Sequence, residues 1–202
     1  MHLPPLEQAE AYLKDGAERN PGPWVAHSRL VAQGARLIAE NHPALKPEPA
    51  YIFGLLHDIG RRFGATHMKH ALDGYTFFVA EGFPSVGRIC LTHSYPDKTL
   101  PAQSAWDGTP EEFKMYMDML VSCEYDLYDR LIQLMDCLAL PDGFCLMEKR
   151  FVDVTLRYGF NAHTVQRWKA FFAVKKEIED TLGFSVYRLL PGIVETTFYT
   201  DL

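Results

Sequence analysis

Phe53-Gly54-Leu55-Leu56-His57-Asp58-Ile59-Gly60-Arg61-Arg62 is the stretch on which the reading of this chain turns. Its apolar residues call for burial, yet His57 and Asp58 sit side by side in the middle of it. An ionised carboxylate taken out of water with no partner is strongly destabilising. A divalent metal ion compensates both groups at once, because a neutral imidazole and a carboxylate are each good ligands. The segment reads as the end of a helix over residues 49–62, apolar nearly all round, as a central helix should be.

Working outward, residues 6–18 form an amphipathic helix closed by Asn20-Pro21-Gly22-Pro23, and residues 24–41 a second one. Residues 68–81 and 84–93 give two more helices, separated by Gly82-Phe83-Pro84. Residues 94–109 break the pattern with prolines, a glycine and Trp106, and so long a loop suits a lid or a site wall. Thr109-Pro110-Glu111-Glu112 has the form of a capping box with proline at the first helical position. A helix over residues 125–140 ends at Pro141-Asp142-Gly143, and amphipathic helices follow over about 145–158 and 164–182. Strand-like character is confined to the tail, residues 185–199. The expected class is all-α, one domain over residues 1–202 with a helical extension from about residue 141.

With 202 residues, 48% of them hydrophobic, the chain can build a substantial core. Net charge is −6 and no Lys/Arg run is present, which argues against a nucleic-acid duplex as partner. An anionic small molecule stays open, since metal ions and a few arginines can reverse the field inside a cleft. Cys90, Cys123, Cys137 and Cys145 show no CxxC pairing and read as reduced cysteines. No leader-like N-terminus and no run near the ~20 apolar residues of a membrane span is found, so the expectation is a cytoplasmic chain with no membrane partner.

Further ligand-type side chains fall on apolar helix faces. His27 precedes Leu30, Val31 and Gly34, His93 follows Val86, Ile89 and Cys90, and Asp136 lies inside Leu131-to-Leu138. His70 is the sixth candidate, with Gly74 one turn on leaving space beside the imidazole; His67 competes with it from nearer the helix start. A lone buried histidine is more often a hydrogen-bonded core residue than a ligand, so the weight rests on the joint pattern. His2, His42 and His163 read as surface or cap residues.

His27, then His57-Asp58, then Asp136 resemble the H…HD…D pattern of the HD-domain superfamily of metal-dependent phosphohydrolases, over about residues 24–140. With His70 and His93 between, the chain is similar to the subset whose site often holds two metals. Arg61 stands where many relatives have lysine, so a planar fork replaces a point charge. The resemblance implies an HD-type helical bundle in which His27, His57, Asp58 and Asp136 hold one ion, and Asp58, His70 and His93 help hold a second. Iron, manganese, zinc and cobalt all suit such ligands. It also implies that a metal-activated hydroxide cleaves a phosphomonoester or nucleotide-like phosphoester. Arg61, Arg62 and Lys98 would neutralise substrate charge, while Tyr95 and Trp106 would stack on a base. Arg61 and Arg62 also suit a helix C-terminus with no further role, and Lys98 a solvated loop. Some similar proteins instead use a di-iron centre for oxygen-dependent C–C or C–P cleavage, and others are non-catalytic binding modules.

Overall fold

In the computed structural model, which describes residues 1–65, 67–100 and 106–199, the chain is all-α. Helices α1 (Leu6–Arg19), α2 (Pro23–Asn41) and α3 (Pro47–Leu56) are followed by a 3₁₀ turn (Ile59–Phe63). Then come α4 (Lys69–Ala80), α5 (Pro84–Thr92), α6 (Pro110–Ser122) and α7 (Leu127–Leu138). A small hairpin of β1 (Ala139–Leu140) and β2 (Gly143–Phe144) leads into α8 (Met147–Tyr158) and α9 (Thr164–Leu182). A second 3₁₀ turn (Val186–Leu189) and α10 (Ile193–Phe198) close the described chain. No helix among the described residues is long and apolar enough to cross a membrane.

The central helix, α3, starts on a proline that needs no hydrogen-bond acceptor and buries Ile52, Phe53, Leu55 and Leu56. It runs along α2, and Gly54 is where the two backbones touch: a Cβ there would stand 2.7 Å from the Ala32 Cα. The expected helix over residues 49–62 is corrected on one point. It stops at Leu56; His57 keeps helical dihedrals, Asp58 leaves them (φ −101°, ψ 9°), and a tighter turn begins. Gly60 accounts for the change, because its Cα face is pressed against α4. A Cβ there would overlap the His70 carbonyl oxygen and lie 2.6 Å from the Gly74 nitrogen. Gly74 in turn makes room for Cys90 and Gly60, not for the His70 imidazole as expected.

The helix after residue 125 also differs from expectation. Asp126 caps α7 in a reciprocal box with Asp129, and the helix ends at Leu138, so Ala139 and Leu140 pair with Phe144 and Gly143. The anticipated breaker Pro141-Asp142-Gly143 is the hairpin turn. The strand-like tail is helical instead: Val186, Leu190 and Ile193 are buried, with Thr196 following on the same face. The capping box Thr109/Glu112 forms as expected. Of the anticipated lid, residues 101–105 lie outside the described residues.

Two cores result. The larger joins α1, α2, α3, α7 and α9; the smaller gathers Met68, Leu72, Leu91, Tyr116 and Leu120 from α4, α5 and α6.

Candidate metal centre

Four histidines and two aspartates meet where these helices converge. His27 comes from α2, His57 and Asp58 from the turn after α3, His70 from α4, His93 from the end of α5 and Asp136 from α7. His27 Nε2 lies 3.0 Å and His57 Nε2 3.8 Å from Asp136 Oδ1. On the other side, His70 Nε2 lies 3.0 Å and His93 Nε2 3.6 Å from Asp58 Oδ1, with the two ring nitrogens 3.2 Å apart. Donor atoms of His27, His57 and Asp136, and again of His57, Asp58 and His93, all lie within 4.8 Å of one another. His57 thus stands in both groups, and Asp58 Oδ2 is engaged by Arg61 Nε at 2.7 Å.

Each ring is oriented by its other nitrogen. Nδ1 of His27 faces the Ala139 carbonyl, that of His57 the Gly54 carbonyl, that of His70 the His67 carbonyl and that of His93 the Cys90 carbonyl. A carbonyl oxygen only accepts, so Nδ1 carries the proton in all four, and in the neutral rings every Nε2 presents a lone pair. Those lone pairs point at one another and at carboxylate oxygens. Acceptors packed against acceptors, with His57 Nε2 and Asp58 Oδ1 buried and lacking a hydrogen-bond partner, are what a cation between them would satisfy. Backbone carbonyls orienting ligand imidazoles are the usual outer support of a metal site. The donor set, neutral nitrogens with carboxylate oxygens, fits one or two divalent ions of the borderline transition-metal kind.

The electrostatics agree. Burial pushes the pKa values of His57, His70 and His93 down, so protons are poor occupants of the cluster. Burial alone would raise the Asp58 carboxyl, but the Arg61 guanidinium and the neighbouring imidazoles outweigh it and hold it well below the usual carboxylate range. Asp136 is held low against burial by His27 and the other rings when these are protonated, a positive charge that a metal ion would supply in their place. Both carboxylates therefore remain ionised, as ligands must be.

The cluster floors a cavity of about 760 Å³, reached by His27, Asp58, His70, His93 and Asp136, with Arg61 in the wall. His57 is wholly buried behind them. The other candidates lie elsewhere. Arg62 turns away, pairing with Asp15 and stacking 4.4 Å above the Phe77 ring. Lys98 caps α6 by donating to the Val121 and Cys123 carbonyls. Tyr95 is buried against Tyr116, and Trp106 stacks on Tyr116 while donating to Thr109. Neither ring lines the cavity, so Tyr95 and Trp106 do not offer the expected base-stacking face. His67 lines the cavity but contributes its carbonyl to His70 and joins neither donor group. His42 caps α2 but is buried, and His163 caps α9.

Sequence reasoning missed a further part of the cavity lining. Arg150 and Arg157 of α8 and Arg167 and Trp168 of α9 line the same cavity. A signal existed for Arg167: it shares the apolar stripe of Thr164, Phe171, Val174 and Ile178, where a guanidinium is out of place.

The family model described as HD domain matches residues 24–140, more than half of the chain. No curated protein and no solved structure matches it.

Proposed function

The chain belongs to the HD-domain family, and on that footing we propose that it is a metal-dependent phosphohydrolase acting on a phosphomonoester or nucleotide-like phosphoester. The observation that carries this reading is the convergence of four imidazole lone pairs on two ionised carboxylates at the floor of a cavity. His27, His57 and Asp136 would hold one ion, and Asp58, His70 and His93, with His57 close by, a second. Such ions supply Lewis acidity toward a phosphoryl oxygen and bring a bound water to a near-neutral pKa.

The protein's own groups set the stage for that chemistry. Arg61 is fixed by its Nε contact with Asp58, so its positive charge stands beside the cluster and faces an anionic group entering the cavity. Asp58, His70, His93 and Asp136 open to the cavity, while His57 is closed off from it and serves only to hold. The rigid hydrogen bonds of all four rings to backbone carbonyls keep the donor atoms in place without reorganisation.

The test is phosphate release from a panel of phosphomonoesters and nucleotides by protein reconstituted with Mn²⁺ or Co²⁺, beside Asp58→Ala. Turnover that Asp58→Ala abolishes supports the reading. No cleavage of any phosphoester, together with iron content and substrate-dependent oxygen uptake, would replace it with the di-iron oxygenase chemistry that the same ligands can serve.

A further inference from the structure

Part of the lining of the cavity that holds the metal centre comes from α8 and α9, which lie beyond the matched residues 24–140. That part is basic in a chain whose net charge is −6. Arg150 and Arg157 share a single carboxylate, Asp153, at 3.1 Å and 2.6 Å, so the trio keeps a positive charge. Arg167 is only 6% exposed, and burial pulls its pKa down. Next to it in sequence, Trp168 lies flat on Phe151, with ring planes 2° apart, and both add apolar surface to the cavity lining.

Arg61 and the ions that the cluster fits are enough for one phosphate. Three further arginines on the same cavity are surplus to a substrate with one anionic group. The volume, about 760 Å³, is also that of a site for a whole small molecule and exceeds what a bare phosphate fills.

We infer that the substrate carries a second acidic group besides the scissile ester, a carboxylate or a further phosphate, and that Arg150, Arg157 and Arg167 seat it. This specificity rests on the phosphohydrolase reading for the identity of the first anionic end. A buried guanidinium meeting a planar or tetrahedral oxyanion forms paired charge-assisted hydrogen bonds, and an apolar wall beside it keeps water from weakening them.

The experiment is titration calorimetry of the full Mn²⁺-loaded chain with non-hydrolysable probes. Alkylphosphonates of increasing length are compared with ω-carboxyalkylphosphonates and alkylene bisphosphonates of the same lengths. At the best length a two-acid probe binds about tenfold or more tighter than its alkyl counterpart. The carboxylate or the bisphosphonate series, whichever wins, identifies the second group. Arg167→Gln and the half-buried Arg150→Gln each shrink the preference, so a folding defect in the first leaves the second to decide. Equal binding of one-acid and two-acid probes, or a preference that survives both substitutions, would overturn the inference. A two-acid preference with no cleavage of the matching phosphate esters would sink the hydrolase and keep the anion seat. Cleavage of simple esters without such a preference would do the reverse.

Discussion

His70 Nε2 stands 3.0 Å from Asp58 Oδ1 while the opposite nitrogen of the same ring faces the His67 carbonyl. The ring is therefore held by one acceptor and aimed at another, an arrangement that a cation between His70 and Asp58 would stabilise. The two residues come from different elements, α4 and the turn after α3, and are brought together by the close approach at Gly60.

Asp58 bridges Arg61 and the two rings of α4 and α5, so Asp58→Ala should remove more than an outer support would. Loss of a supporting partner in a metal site costs about 10–100-fold in affinity or activity, and loss of Asp58 itself should exceed that. Elemental analysis of protein purified without chelator, with steady-state phosphate release, reads both quantities. Wild-type metal content in the variant would show that Asp58 is not a ligand.

Gly60→Ala places a methyl group against the His70 carbonyl and the Gly74 nitrogen, both backbone atoms that cannot move aside cheaply. Overpacking of this kind costs about 1–3 kcal/mol. Because α4 must shift to relieve it, metal occupancy on the His70 side should fall along with the melting temperature. A variant with unchanged melting temperature and metal content would mean that the turn is not pressed on α4.

In metal-stripped protein, burial holds the pKa values of His57, His70 and His93 below the ordinary 6.5. The unfolded chain then takes up protons at these rings before the folded one does. Stability should be level above about pH 7 and fall as pH drops through about 6.5. Asp58 and Asp136, held low in the fold, add a second loss below about pH 4. Denaturant melts of chelator-treated protein across this range measure the slope; a gain in stability on acidification from pH 7 would contradict it.

Arg61 and Arg62 are neighbours with separate tasks. Arg62→Met loses the Asp15 pair and the Phe77 stacking and should destabilise by about 1–2 kcal/mol with little change in turnover. Arg61→Met leaves Asp58 without its cation and the cavity without a wall charge, so activity should fall at least about tenfold. Equal kinetic loss in the two variants would place Arg62 in the site after all.

The all-α class and most of the helices were legible because apolar residues recur at helical spacing and prolines and glycines punctuate them. The six ligand-type residues were legible for a related reason: a polar side chain in an apolar run stands out, and their order along the chain is that of a known pattern. Less was legible around them. Nothing local says that the helix at His57 tightens into a 3₁₀ turn, since the cause is a backbone contact between Gly60 and α4. Nor does residue spacing say that α7 stops at Leu138, freeing the Ala139 carbonyl to orient His27.

The chain by itself determined which residues can bind metal and on which helices they ride, because composition and periodicity are local properties. Only the tertiary structure decided which atoms meet. It sent Arg61 to Asp58 and Arg62 to Asp15, kept Lys98 and Tyr95 away from the cavity, and brought Arg150, Arg157 and Arg167 to the cavity that the cluster floors. Those outcomes depend on packing between residues far apart in sequence, and no local pattern encodes the direction in which a side chain finally points.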